Sequence, residues 1–541
     1  MLKQLNLALQ FASEGYLEVI MTIHRKISNK RLPKFFAVIV LSAAFLLVGP
    51  VSAASDLFTT PGELSPDDMR ISYMGPDGNP NYHANFPAAA YNSQRDEFLV
   101  VWDGNDESIA VGEKEIWGQR IDGSTGERIG GVMRISQMSP SGDPGYSAQF
   151  PDVAYNSIRD EFLVIWQGND YISGYRKDFE IWGQRMDYND DNLQQKGVDF
   201  KISQMGPPPP QIDAEQFNAE DPALVYNSQV DEYLLVWSGN DKRGGLADYE
   251  HEIFGQRLGY TAFDEMEEKG NDDYRISYMG TTEDASFHAN APDLAYNTLK
   301  NEYLVVWYGN TNAYGLADDE REIWGKRVNW DISALSSQLR ISDMGEDGQT
   351  SYLAHDPAVA YNPYSDRYLV VWFGNEVFDV VSGYLMEVFG QQLGYDEFSN
   401  LANIESNDFQ ISHLGMSRYD IGRVLFPEVA YNTHNRNYLI VWRGDYDNPP
   451  LVPTEYELYG QVMDYKGNLY DPKEFRLSET GVDGDLNSDV LSTSVAAGLH
   501  DSYLVVWFAD PGTAPLVDYE EEVFGQLYTT QPPNLMPIVM K

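Results

Sequence analysis

Short apolar runs of five or six residues, bounded by Gly, Asn, Asp or Pro, follow one another from about residue 69 to residue 528. β-Branched and aromatic residues dominate each run, which reads as strand and not helix. Four runs, A to D, make a unit. In the second unit they are Pro151-Asp152-Val153-Ala154-Tyr155-Asn156, Glu161-Phe162-Leu163-Val164-Ile165-Trp166, Glu180 to Arg185, and Phe200-Lys201-Ile202-Ser203. A tight polar turn, Asn156-Ser157-Ile158-Arg159-Asp160, joins A to B. No stretch after residue 55 shows the 3.6-residue period of a long amphipathic helix.

The unit is written seven times. Its second run ends on Trp102, Trp166, Trp237, Trp307, Trp372, Trp442 and Trp507, spaced 64–71 residues apart. Its third opens on Glu115, Glu180, Glu252, Glu322, Glu387, Glu457 and Glu522, each followed by an aliphatic-aromatic-Gly sequence. Self-similarity at this period marks a propeller or solenoid, and four strands per unit make a propeller blade. The prediction is all-β: a seven-bladed β-propeller of four-stranded antiparallel blades. The seventh unit matches only strands A, B and C (Thr493 to Ala497, Tyr503 to Trp507, Glu522 to Leu527). Its missing D strand is predicted at Met69-Arg70-Ile71-Ser72, which matches Met133-Arg134-Ile135-Ser136. An N-terminal D strand completing the last blade closes the ring and removes open sheet edges. An open solenoid would need polar caps instead.

Composition narrows the setting. The 541 residues carry a formal charge of −46, no cysteine and 13% aromatics. A surface this acidic repels phosphate backbones, which argues against a nucleic-acid partner. Without cysteine there is no disulfide, thiolate metal site or cysteine nucleophile. Residues 22–54 read as a secretory signal: His24-Arg25-Lys26, Lys30-Arg31 and Lys34, then the apolar run Phe35 to Gly49, then Pro50-Val51-Ser52-Ala53 with cleavage after Ala53. An uncleaved anchor helix is the alternative, and Met21 is a candidate start. The expected division is an N-terminal extension and signal at 1–53, a linker at 54–68, the propeller at 69–528 and a tail at 529–541. The expected product is secreted or at the cell surface, with no membrane span in the mature chain.

The Val100-Val101-Trp102 strand, the loop after it and the Glu115-Ile116-Trp117-Gly118-Gln119-Arg120 strand resemble tandem repeats of large secreted and surface proteins of bacteria. The resemblance covers about residues 69–528 and implies an adhesive or matrix-associated setting. The chain lacks the sialidase Ser-x-Asp-x-Gly-x-Thr-Trp box and the Gly-His…Trp-Asp pairing of other propellers.

Residues that recur in every blade serve the fold, whereas a ligand site is single and asymmetric. The seven tryptophans are therefore read as packing between blades. The glutamates opening strand C cap loop amides or pair with an arginine. Alternatively, with Gly-Asn-Asp at the start of B–C loops, Asp106, Glu115, Asp170, Glu180, Asp241 and Glu252 are candidate calcium ligands. No Asp-x-Asp-x-Asp-Gly loop is present; calcium is the candidate cofactor, with zinc on two or three of His83, His288 and His355 a lesser alternative whose blades do not all adjoin. Strand A, as in Ala88-Ala89-Ala90, Val153-Ala154, Leu294-Ala295 and Val359-Ala360, carries small residues for the crowded axis. B–C and D–A loops emerge on one face, where a binding surface is expected; His83, His288 and His355 on D–A loops are its candidate ligand residues. Pro207 to Pro210 reads as a stiff spacer. No Gly-x-Ser-x-Gly elbow or His-Glu-x-x-His motif occurs.

The expectation is a non-enzymatic binding or scaffold protein recognising an extracellular glycan or protein through that loop face. Two alternatives stand beside it. One is a carbohydrate-active hydrolase or lyase using acidic residues at the axial pocket; the other is a calcium-stabilised structural component of a surface or matrix.

Overall fold

A computed structural model describes residues 62–63, 68–138, 143–169, 178–206, 217–241, 246–247, 249–280, 285–312, 315–375, 378–379, 383–413, 423–445, 455–470, 474–481, 489–499 and 501–530. The signal reading, Asp170 and the Pro207 to Pro210 run lie outside them. Among the described residues no helix is long and apolar enough to cross a membrane.

Every blade is an antiparallel sheet in the order A-B-C-D. Blade one is Ala84–Asn92, Glu97–Gly104, Glu115–Asp122 and Arg128–Arg134. Blade two is Ser147–Asn156, Glu161–Asn169, Glu180–Asn189 and Asn192–Lys201. The A strands of blades three to seven are Ala219–Asn227, Ala289–Asn297, Leu353–Asn362, Val424–Asn432 and Asp489–Ala497. Strand D of blade two starts earlier than its sequence pattern suggested. A bulge between Lys196 and Phe200, with Gly197 at φ 81°, interrupts the alternation there and hides the pairing of Asn192 to Lys196.

The seventh blade consists of Asp489–Ala497, Ser502–Asp510 and Glu522–Thr529, and its D strand is Met69–Arg70. Met69 pairs with Gly525 and Arg70 with Phe524, the register in which Met133 and Arg134 pair with Gly118 and Trp117 in blade one. Gly62–Glu63, inside the expected linker, adds a second pairing to Thr529 and Tyr528. Each A strand packs on the next around the circuit, and that of blade seven packs on that of blade one. The ring closes.

Between blades lies the apolar core. Trp102, Trp166, Trp237, Trp307, Trp372, Trp442 and Trp507 are fully buried, and side chains of this size each remove on the order of 150–250 Å² from water. Trp102 Nε1 meets Met74 Sδ at 3.3 Å, Trp166 meets Met138 at 3.3 Å and Trp307 meets Met279 at 3.2 Å. Each of these methionines follows the D strand of the preceding blade, so the contact crosses a blade boundary. The methionine amide is also held, by the glutamate that opens the preceding blade's strand C. At these three boundaries a repeated chain of contacts ties the C–D edge to the next blade's tryptophan; Trp507 Nε1 donates instead to Thr480 Oγ1 at 3.3 Å.

Candidate axial site

Strand A enters the ring through a bulge. Two residues, Phe86 and Pro87 in blade one, oppose a single residue of strand B, and the register shifts at this point in every blade. A residue before proline is barred from the right-handed helical region. In six blades it is left-handed: Phe86 (φ 49°), Phe150 (51°), Asp221 (53°), Ala291 (45°), Asp356 (46°) and Phe426 (52°). Non-glycine residues in this conformation cost on the order of 1–3 kcal/mol each and cluster where a side chain must be aimed. Here they are aimed around the axis. The Phe86 ring of blade one touches Phe150 of blade two at 4.2 Å and Phe508 of blade seven at 5.1 Å.

The mouth is therefore not symmetric. Blades six, seven, one and two supply an aromatic crescent: Phe426, Phe508, Phe86 and Phe150. Blades three and five supply Asp221 and Asp356, which flank blade four with its small Ala291. Behind Ala291 stands Tyr308, whose phenol feels the charges of Asp356, Arg321 and Asp221. Burial, and then those carboxylates, push its pKa up to about 12, so it is a neutral donor at physiological pH.

A second tier lies two residues further along strand A, just after the proline. Blades one, three and five have Ala88, Ala223 and Ala358; blades two, four and six have Asp152, Asp293 and Glu428. The three carboxylates come from non-adjacent blades yet act on one another's charge, so they converge on the axis. Asp152 accepts from its own Val153 amide (2.7 Å) and from the Leu224 amide of blade three (2.8 Å). Asp293 does the same with Leu294 and with Val359 of blade five, both at 2.7 Å. These two stitch neighbouring blades together. Burial raises Asp152 to about 6 and Asp293 to about 7 against the amides that hold them down. Burial, followed by the charges of Asp293, Asp152 and Asp356, pushes Glu428 well above the usual carboxylate range.

Asp221 and Asp356 differ from the stitching pair in having no hydrogen-bond donor on their carboxylates among the described residues. Burial raises both; for Asp356 the charge of Asp221 adds to it and brings the value to about 7. Asp221 is nonetheless exposed and Asp356 half-buried, so both keep contact with water while protein packed around the bulges raises them. Two carboxylates that feel each other's charge do not both ionise readily, and the charge of Asp221 favours the protonated form of Asp356.

The histidines read from the sequence divide between two sectors. His288 and His355 fall in blades four and five, where Arg321 Nη1 lies 2.9 Å from His355 Nε2. Burial, then Arg321, depresses both, His355 to about 4. His251 joins this sector through Ser238 Oγ at 3.3 Å. His83 stands at the junction of blades seven and one, 3.6 Å from Glu521.

Of the candidate calcium carboxylates, Glu115, Glu180, Glu252 and Asp106 are hydrogen-bonded within their own blades. Glu115 accepts from Arg134 (2.5 Å), Ser136 and the Met138 amide (3.0 Å). Glu180 accepts from Lys201 (2.7 Å) and Ser203 (2.5 Å), and Glu252 from Arg275 (2.5 Å), Ser277 and the Met279 amide (2.8 Å). Asp106 closes a turn onto Ser108, and Asp241 is buried at the start of its loop. Among the described residues no three His, Asp or Glu are grouped to hold a metal ion.

Reading strand A as a run of small residues missed Asp152, Asp221, Asp293, Asp356 and Glu428. The signal was present in the residues beside the repeated proline, which read Phe, Phe, Asp, Ala, Asp, Phe before it and Ala, Asp, Ala, Asp, Ala, Glu after it.

No protein-family model matches the chain, and no curated protein matches it significantly. Among solved structures it is similar to the GH93 alpha-L-arabinofuranosidase of Fusarium graminearum, at 11% identity and a TM-score of 0.39, over 75% of this chain and 98% of that one. It is also similar to Trypanosoma rangeli sialidase (8% identity, TM-score 0.39, 71% of this chain and 57% of that one). A Hadza microbial sialidase follows, at 8% identity and a TM-score of 0.40, over 83% of this chain and 66% of that one. Likeness at TM-scores of 0.39–0.40 carries no activity over to this chain; the expectation of a non-enzymatic binding or scaffold protein is corrected in favour of its stated alternative, a carbohydrate-active hydrolase, which is taken up as a proposal below. Near the axis two carboxylates, Asp221 and Asp356, have raised pKa values and no hydrogen-bond donor among the described residues.

Proposed function

We propose that the chain is a carbohydrate-active hydrolase that cleaves a glycosidic bond at the axial mouth. What supports this reading is the Asp221–Asp356 pair. Both side chains are carried on strained pre-proline bulges, neither is used by the fold, and one is raised by the charge of the other. Glycoside cleavage needs one protonated and one ionised carboxyl flanking the scissile bond. With a pKa of about 7, Asp356 is the proton donor to the leaving oxygen. Asp221 is the ionised partner, acting as base on water or as nucleophile according to its separation from the sugar carbon. The Tyr308 phenol donates to a sugar oxygen between them, and Phe86 and Phe150 offer faces to the apolar side of a neighbouring ring. Export through the N-terminal segment fits a glycan met outside the cell.

The test is reducing-end release from a panel of polysaccharides. The wild type cleaves at least one, and Asp356→Asn and Asp221→Asn abolish cleavage while leaving the melting temperature within about 2 °C, because neither carboxylate holds the fold. A panel untouched by the wild type would reject the reading.

A further inference from the structure

We propose that Arg321 reads an anionic substituent, a carboxylate or a sulfate, on the sugar held between Asp221 and Asp356; this rests on the hydrolase reading. The chain has 83 acidic residues against 37 basic ones, and several of its cations in the equivalent loops and strands are matched by acids. Lys114 meets Asp103 at 2.8 Å, Arg120 meets Glu97, Arg134 meets Glu115 and Arg340 meets Glu322, each at 2.5 Å. Arg321 occupies the position of Lys114 three blades on, the middle of a Glu-x-Glu triplet at the start of strand C. Yet among the described residues no carboxylate stands within ion-pair distance of it, and its side chain is exposed.

The partner it does have is a neutral one. Its Nη1 donates to Nε2 of His355 at 2.9 Å. The imidazole is clamped between Tyr308 (4.3 Å) and Phe373 (5.6 Å), so it fixes the guanidinium without cancelling its charge. Of five N–H donors one is used, and the remaining planar fork suits two oxygens of a carboxylate or sulfate. Burial holds the neighbouring His251 and His288 in their neutral form, so they do not repel an anion, although the charges of Asp319 and Glu250 also reach His288.

The position is blade-specific as well. Its equivalents are Phe179, His251, Met386, Tyr456 and Glu521, so the arginine serves one site and not the repeat. His355 precedes Asp356 in the chain, and Tyr308 feels Arg321, Asp221 and Asp356 together, which places guanidinium and carboxylate pair at one mouth. The large negative charge elsewhere does not forbid an anionic sugar, because exposed charges beyond about 8 Å are screened at physiological salt.

The experiment uses matched polymers: homogalacturonan against galactan, glucuronan against glucan, and sulfated against desulfated galactan. Cleavage is read with the wild-type full chain, and equilibrium binding with Asp221→Asn/Asp356→Asn, which cannot turn over. The expected result is binding and cleavage of the anionic member of at least one pair, with the polymer type telling carboxylate from sulfate. Arg321→Gln then raises KM at least tenfold with little change in kcat, and Arg321→Lys recovers part of the loss. Equal or better use of the neutral members, or a KM unmoved by Arg321→Gln, overturns the proposal and leaves the hydrolase reading standing. A wild type that cleaves no polymer removes both.

Discussion

Closure of the ring rests on the contact between Arg70 and Glu522, and Arg70→Ala measures it. The Glu522 side chain is 1% exposed and that of Arg70 11%. The carboxylate also accepts from Ser72 and from the Met74 amide at 3.1 Å. Removing one partner of a buried pair costs about 3–5 kcal/mol. The lower end applies, because two donors remain and the raised pKa of Glu522 lets it take a proton. At about 2.1 cal/mol/K per residue, unfolding a propeller of this length carries roughly 1 kcal/mol/K of entropy, so ~3 kcal/mol lowers the melting temperature by about 3 °C. Arg134→Ala breaks the same contact within blade one, where Arg134 and Glu115 stand 2.5 Å apart. It is expected to cost a similar amount. The difference lies in what is released. Arg70→Ala frees the strand that closes the ring, so thermolysin cuts between residues 60 and 80 faster than in the wild type, whereas Arg134→Ala leaves that segment protected. A double substitution with Glu522→Gln should cost less than the sum of its parts, since the orphaned charge is gone. Equal proteolysis of the two single variants, or a melting shift below 1 °C for Arg70→Ala, would refute the reasoning.

Two further expectations concern the axis. Glu428 has a folded pKa far above its unfolded one, so the folded state binds the extra proton and the wild type loses stability as pH rises from about 4. Glu428→Gln should melt with the wild type at pH 4.5 and above it at pH 9; a variant less stable at pH 9 would contradict this. Catalysis requiring protonated Asp356 should give a kcat/KM that declines as pH rises past about 7, and a rate still climbing at pH 9 would remove Asp356 from the acid's role.

The repeat made the architecture legible, because strand pattern, tryptophan and Glu-x-aromatic-Gly signals each recur wherever a blade needs them. Met69 to Ser72 could be placed in blade seven for the same reason: the D-strand residues recur there out of order. The site was harder to see, since it consists of departures from the repeat. Asp221 and Asp356 occupy a position filled elsewhere by Phe or Ala, and only the bulge, which no local pattern announces, turns that position toward the axis. The histidines are legible as blade-specific residues, but His355 lies within strand A, at Leu353–Asn362, and not on the D–A loop its sequence position suggests. Glu115 and its equivalents drew attention as carboxylates in a loop-rich region, but the arginine, hydroxyl and amide that satisfy them come from the D strand and the connection after it, some twenty residues further along.

The most direct test of the catalytic assignment is leaving-group dependence in Asp356→Asn. If Asp356 protonates the departing oxygen, a substrate with a sugar leaving group should slow by about 10²–10⁴-fold, while a dinitrophenyl glycoside, which needs no proton, should slow by less than about tenfold on the same reasoning. Equal slowing of both substrates, or a variant as active as the wild type on the natural bond, would contradict the account.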